Sequence, residues 1–257
     1  MGEQTIKLIP NLTSGSVLLE NQPGVKHLGI PMGSDEHYRL SQLDDYSDLP
    51  RKAFPWSSPV HLSLRSRASS EKIPGTWGFG FWNDPFSVEV RIGRDRLRMP
   101  VLPNAAWFFF ASSDNYLSLR NDLTGNGYLA ATFSTQKWAS ALIYPGIVTF
   151  PLLFLPPAAR LLRRLASRIV FQDSIEITAK PTEWHLYEIS IKQQSVEFQV
   201  DGGLFFETNI VPQGLLGFLM WVDNRFLAFS PDGRFSFGTK ANPDPAWIEV
   251  ADLVIEG

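Results

Sequence analysis

The feature that most constrains this chain is a set of short segments that alternate apolar and polar residues with a period of two. Val60 to Arg67 reads Val-His-Leu-Ser-Leu-Arg-Ser-Arg, so Val60, Leu62 and Leu64 point one way and His61, Ser63, Arg65 and Arg67 the other. Glu183–Ile191 and Val196–Val200 are joined by the turn Lys192–Ser195, with Val196, Phe198 and Val200 alternating against Glu197, Gln199 and Asp201, which predicts a hairpin. Further strands are expected at Ser16–Glu20, Thr76–Trp82, Ala106–Ser112, Tyr128–Ser134, Leu215–Val222, Phe226–Ser230, Phe235–Gly238 and Trp247–Ile255. Turns such as Pro74-Gly75 and Asp201-Gly202-Gly203 separate them. Ala106–Ser112 is apolar on both faces, which predicts a central strand. The polar, acidic stretch Ser34–Lys52 reads as a loop or short helix. Regularly spaced strands without alternating helices predict an all-β sandwich or jelly roll, a single domain over residues 1–257.

Composition narrows the function classes. The chain of 257 residues has no cysteine, which excludes disulfides, thiolate metal sites and a cysteine nucleophile. A formal net charge of -3 argues against nucleic acid as a partner. Four histidines and no oxygen-ligand run predict neither a metal site nor a cofactor, and no phosphate loop, dinucleotide fingerprint or nucleophile elbow is present. His61 and His185 lie in strands and read as hydrogen-bonded or surface residues. The opening Met-Gly-Glu-Gln has no basic or apolar leader character, so a cytoplasmic location is expected.

Residues 138–172 break the β pattern and read as an insertion. Trp138 to Ala159 carries no charge, but Pro145, Pro151, Pro156 and Pro157 oppose one straight spanning helix. Arg160 to Val170 then reads as an amphipathic helix started by Pro156-Pro157, with Leu161, Leu162, Leu165 and Ile169 on one side and Arg160, Arg164 and Arg168 on the other. Two readings stand. Either the leucine face packs on the sandwich, or the apolar run and basic helix contact a membrane surface or an apolar ligand entrance.

Three stretches carry a resemblance. Pro74 to Asn83 reads Pro-Gly-Thr-Trp-Gly-Phe-Gly-Phe-Trp-Asn, Glu183 to Ile189 reads Glu-Trp-His-Leu-Tyr-Glu-Ile, and Val196 to Gly202 reads Val-Glu-Phe-Gln-Val-Asp-Gly. Together they resemble the concanavalin A-like lectin/glucanase superfamily, and within it proteins similar to family 16 glycoside hydrolases, over roughly residues 55–256. The resemblance implies two curved antiparallel sheets with a ligand on the concave face. The carboxylate triplet of those hydrolases, Glu-x-Asp-x-Glu or Glu-x-Asp-x-x-Glu, has no counterpart here. Ser87-Val88-Glu89-Val90-Arg91 places Arg where Asp should stand, and Glu249 to Asp252 has the wrong spacing. The two close carboxyl groups of a retaining mechanism are therefore not supplied by a local motif.

Two strand ends repeat the pattern Trp-x-Asp: Phe81-Trp82-Asn83-Asp84 and Trp221-Val222-Asp223-Asn224. Alternation places Trp82 with Asp84 and Trp221 with Asp223 on common faces. The expected ligand site is an aromatic cleft of Trp77, Trp82, Trp107 and Trp221 with Asn83 and Asn224, and with Asp84, Asp223 and Asp114 as candidate acid/base groups. Such a cleft suits a glycan, stacked on indole rings and hydrogen-bonded by acids and amides. It also suits an enzyme, whether an isomerase or cyclase of an apolar substrate or a divergent glycoside-active one, because a carboxyl group beside Trp can keep its proton.

Overall fold

The computed structural model describes residues 6–85, 89–90, 97–136, 139 and 150–257. Most strands form two seven-stranded antiparallel sheets. The first sheet runs in the order β1 (Ile9–Thr13), β4 (Leu40–Asp44), β15 (Gly217–Asp223), β6 (Thr76–Trp82), β9 (Ala105–Ala111), β10 (Gly127–Thr135) and β11 (Val170–Glu176). The second runs β14 (Gly203–Thr208), β13 (Val196–Val200), β12 (His185–Ile191), β5 (Val60–Ala68), β18 (Ala246–Glu256), β3 (Val25–Ile30) and β2 (Val17–Gln22). Two short pairs, β7 (Glu89–Val90) with β8 (Leu97–Arg98) and β16 (Arg225–Phe229) with β17 (Phe235–Thr239), lie apart from both sheets. The result is the expected jelly-roll sandwich.

The core lies where the inward faces of the two sheets meet. Val60, Leu62, Leu64 and Ala68 of β5 are buried, as the alternation requires, together with Tyr187 and Ile189 of β12 and Phe198 of β13. From the opposite sheet come Trp77, Phe79 and Phe81 of β6 and Phe108 and Phe110 of β9. The rings interlock: Phe79 lies 5.2 Å from Tyr187, and Phe108 lies 5.1 Å from Tyr187 and 5.2 Å from Phe198. Tilted and edge-on pairs at these spacings are the favoured aromatic geometry. The predicted hairpin is present, with Ile191 opposite Val196 and Tyr187 opposite Val200.

Three expectations change. The acidic stretch Ser34–Lys52 contains β4, an inner strand flanked by β1 and β15. The segment 138–172 ends in sheet, because Val170 begins β11, paired along β10. The helix, α1, covers Pro156–Ala166 and stops short of the expected Val170. Its buried residues are Ala159 and Arg163; of the expected leucine face Leu161 and Leu165 are exposed, and Leu162 and Ile169 are half-buried, so that face is not what anchors the helix. Arg163 replaces it as the anchor: Nη1 donates to the carbonyls of Ser118 and Phe229, both at 2.5 Å, and Nη2 to Arg120 O and Asn121 Oδ1. The charged group is thus buried with its donors satisfied, between the rings of Tyr116 and Phe229. Much of the apolar run 138–159 and part of Ser87–Arg91 lie outside the described residues. No described helix is long and apolar enough to cross a membrane.

Candidate functional site

The outward face of the first sheet carries a second aromatic cluster. Strand register shows how it forms. Phe79 pairs across to Phe108 and Trp77 to Phe110, all facing the core; the residues between them therefore face outward. On that face Trp107 sits opposite Gly80, Phe109 opposite Gly78, and Trp221 opposite Gly78 from the other side. Glycine is required there by contact. A Cβ at Gly78 would lie 2.4 Å from Phe108 O, and one at Gly80 would lie 2.5 Å from Ala106 O and 2.6 Å from Trp107 Cα. The glycines thus mark close approach of the neighbouring strand.

Trp107 is the hub. Its ring centroid is 5.8 Å from Trp82, 5.6 Å from Trp221, 5.5 Å from Phe109 and 6.0 Å from Phe133. Trp82 and Trp107 remain partly exposed, whereas Trp221 is nearly covered. Three of the four expected tryptophans therefore meet on one face. Trp77 does not: it is 1% exposed, packed against Phe110 and Tyr128 between the sheets, and so is a core residue rather than part of this surface.

The acids separate. Asp223 ends β15 beside the cluster, its Oδ1 accepting from Thr76 Oγ1 at 2.8 Å and from the amides of Thr76 and Arg225, both at 3.2 Å. The Tyr38 hydroxyl donates to its Oδ2 at 3.3 Å, and Trp221 Nε1 donates to Thr76 Oγ1 at 2.9 Å. A continuous polar chain thus runs from Trp221 through Thr76 and Asp223 to Tyr38, whose ring lies 3.8 Å below the Arg225 guanidinium. Burial pushes the Asp223 carboxyl up to about 6, against the lowering effect of its hydrogen bonds from Thr76 and Arg225. Burial and the neighbouring Asp223 raise the Tyr38 hydroxyl as well.

Asp84 lies at the other end of β6 and serves the framework. It is buried, with Oδ2 accepting from Arg98 Nη1 at 2.8 Å. Arg98 Nη2 also donates to the carbonyls of Tyr46, Ser47 and Leu49 at 2.7, 3.0 and 2.5 Å. Arg51 donates to the carbonyls of Asn83, Met99 and Asp84. Two guanidiniums therefore clamp the corner next to Trp82. Six residue steps, about 20 Å of extended chain, separate Trp82 from Thr76, which faces Asp223, and Asp84 lies two residues beyond Trp82, so the two acids sit at opposite ends of β6. They cannot form the close carboxyl couple of a retaining glycosidase. Asp114 is exposed beyond β9 and ion-paired to Lys240 at 2.9 Å.

The two asparagines are likewise committed to backbone. Asn83 binds Leu102 O and Asn104 N, and the fully buried Asn224 binds Arg39 N, His37 O and Lys240 O. The residues that sequence reasoning missed are Tyr38 and Thr76, which complete the Asp223 chain, and Phe109 and Phe133, which flank Trp107. Phe109 was detectable, since it alternates in phase with Trp107. His61 and His185 are hydrogen-bonded in strands of the second sheet, to Ser190 and Asp201.

No family model matches the sequence, and no curated protein matches it. Solved structures similar to it include an endo-β-galactosidase from Clostridium perfringens that releases GlcNAcα1-4Gal, at 14% identity and TM-score 0.45, over 94% of this chain and 54% of that one. This chain thus spans about half the length of that enzyme. A β-glucanase from Bacillus licheniformis is similar over 99% of this chain and 93% of its own, at 8% identity and TM-score 0.45. A legume lectin-like domain from Entamoeba histolytica is similar over 96% and 89%, at 12% identity and TM-score 0.43.

Proposed function

We propose that the outward face of the first sheet binds carbohydrate, with the ligand stacked on Trp107 and Trp82. The observation that carries this reading is the convergence of three indoles on one face, at 5.6 and 5.8 Å from the central ring, with two of them still open to solvent. Flat, rigid rings of this kind hold the CH faces of a sugar at little conformational cost, and their polar edges leave room for hydroxyl contacts. The test is a titration of neutral oligosaccharides followed by tryptophan fluorescence and melting temperature, on the native chain and on Trp107→Ala and Trp107→Phe. A ligand selective for the folded chain raises its melting temperature. The shift should vanish in Trp107→Ala and partly return in Trp107→Phe. Absence of any response across the oligosaccharides, or full binding by Trp107→Ala, would reject the reading.

A second reading, an enzyme for a sugar or apolar substrate, is favoured by Asp223 alone. A buried carboxyl group near 6, joined to Thr76 and Tyr38, is poised to give or take a proton near neutral pH. Its mark would be turnover of a bound ligand that Asp223→Asn abolishes while binding persists.

A further inference from the structure

Among the described residues, nothing covers the outward side of α1 at Leu161 and Leu165. Leu161 and Leu165, one turn apart, are 57% and 44% exposed, and Leu155 just before the helix is 56% exposed. On a helical projection Arg164 lies beside these leucines, the exposed Arg168 follows in the turn after the helix, and Ala159 and Arg163 face the sandwich. From Trp138 to Gln172 the chain carries four arginines and no acid. Beside the helix opens a cavity of about 440 Å³ lined by Arg120, Arg160, Arg163 and Arg164, with Asp122 as its acid. Asp122 is engaged by Arg120, and Arg163 is engaged by backbone carbonyls. Arg160 and Arg164 are then left to set the sign of the pocket.

We infer that this surface docks on a bilayer containing anionic phospholipid, the leucines entering the interface and a phosphate headgroup entering the arginine pocket. Leucines exposed beside arginines match an interface where apolar side chains enter the acyl boundary and guanidiniums rise to the phosphates. Arg164 lines the cavity and stands one position from Leu165 on the helix, so the cavity borders the leucine side at that residue. Leu161 and Leu165 supply apolar burial and Arg164 and Arg168 supply attraction, a combination that gives reversible, salt-sensitive binding. None of the leucines or arginines of this surface belongs to the tryptophan cluster, although Leu119 and Val170 at the cavity pack against it, and the inference does not depend on carbohydrate binding.

The test is co-sedimentation of the full chain with phosphatidylcholine vesicles, with and without phosphatidylserine, across a salt series. The native chain should bind only the phosphatidylserine vesicles and release as salt rises. Arg164→Gln with Arg168→Gln should weaken binding by about 25-fold, about fivefold for each charge. Leu161→Ser with Leu165→Ser should weaken it by about 100-fold, given the value of burying two leucines. Both pairs are exposed, and circular dichroism should show the fold intact. No binding to phosphatidylserine vesicles, or unchanged binding by the leucine variant, would overturn the inference. So would competition by soluble glycerophosphoserine as strong as that by vesicles, which would assign the pocket to a free phosphate ligand. A native dimer that the leucine variant converts to monomer would overturn it too, by assigning the face to a second copy.

Discussion

Replacing Asp223 with Asn should remove a charge that the folded state holds unfavourably. The Asp223 carboxyl is raised from its ordinary 3.8 to about 6, chiefly because burial takes it out of water. In the unfolded chain it returns to the ordinary value. Between those two pH values the folded chain binds more protons than the unfolded one, so stability falls as pH rises through the window. One pKa step corresponds to about 1.36 kcal/mol, so the loss complete above the window is about 3 kcal/mol. Asn has nearly the same shape and no titration. Its Oδ1 keeps the donors from Thr76 and Arg225, and its amide meets the Tyr38 oxygen, which can accept once the hydroxyl rotates. Urea denaturation of both proteins, at about pH 4 and about pH 7.5, gives the variant-minus-native difference. That difference should rise by up to about 3 kcal/mol toward the higher pH. A difference flat with pH, or one that falls, would refute the account of a carboxyl group displaced by burial. Asp45, also raised to about 6 chiefly by burial, makes a useful contrast. Both its oxygens accept, from Trp56 Nε1 and Phe218 N, so Asn there sets an amide against a donor and should destabilise where Asp223→Asn does not.

Arg163→Met should lower stability by at least about 3 kcal/mol, because three carbonyls lose their donor at about 1 kcal/mol or more each; an unchanged denaturation midpoint would show that α1 is held by something else. Gly78→Ala should destabilise by about 1–3 kcal/mol or more, since the added methyl meets the backbone of β9; a melting temperature equal to native would contradict the close strand contact.

The sandwich was legible because its strands have two unlike faces. Val60–Ala68 and Val196–Val200 bury one face and wet the other, and period two records that difference directly. β4 escaped for the opposite reason. Leu40-Ser41-Gln42-Leu43-Asp44 is an inner strand whose polar groups are satisfied locally, Asp44 accepting from Gln42, Tyr46 and Ser47, so its burial leaves no apolar alternation. In the site, parity decided which tryptophans meet. Gly78, Gly80 and Trp82 share a face, so Trp77 belongs with Phe79 and Phe81 inside; that assignment was available from the spacing of β6 itself. The asparagines and Asp84 were not so readable, because residues that cap a strand end and residues that meet a ligand have the same composition until their partners are known. α1 gives the sharpest case. Its periodicity separates two faces but does not say which one turns inward. A leucine stripe normally settles that by burial, yet here one guanidinium inside the arginine side meets carbonyls from Ser118, Arg120 and Phe229, contributed by chain segments far from the helix. Those long-range acceptors decide the orientation, and the leucines are outward as a consequence.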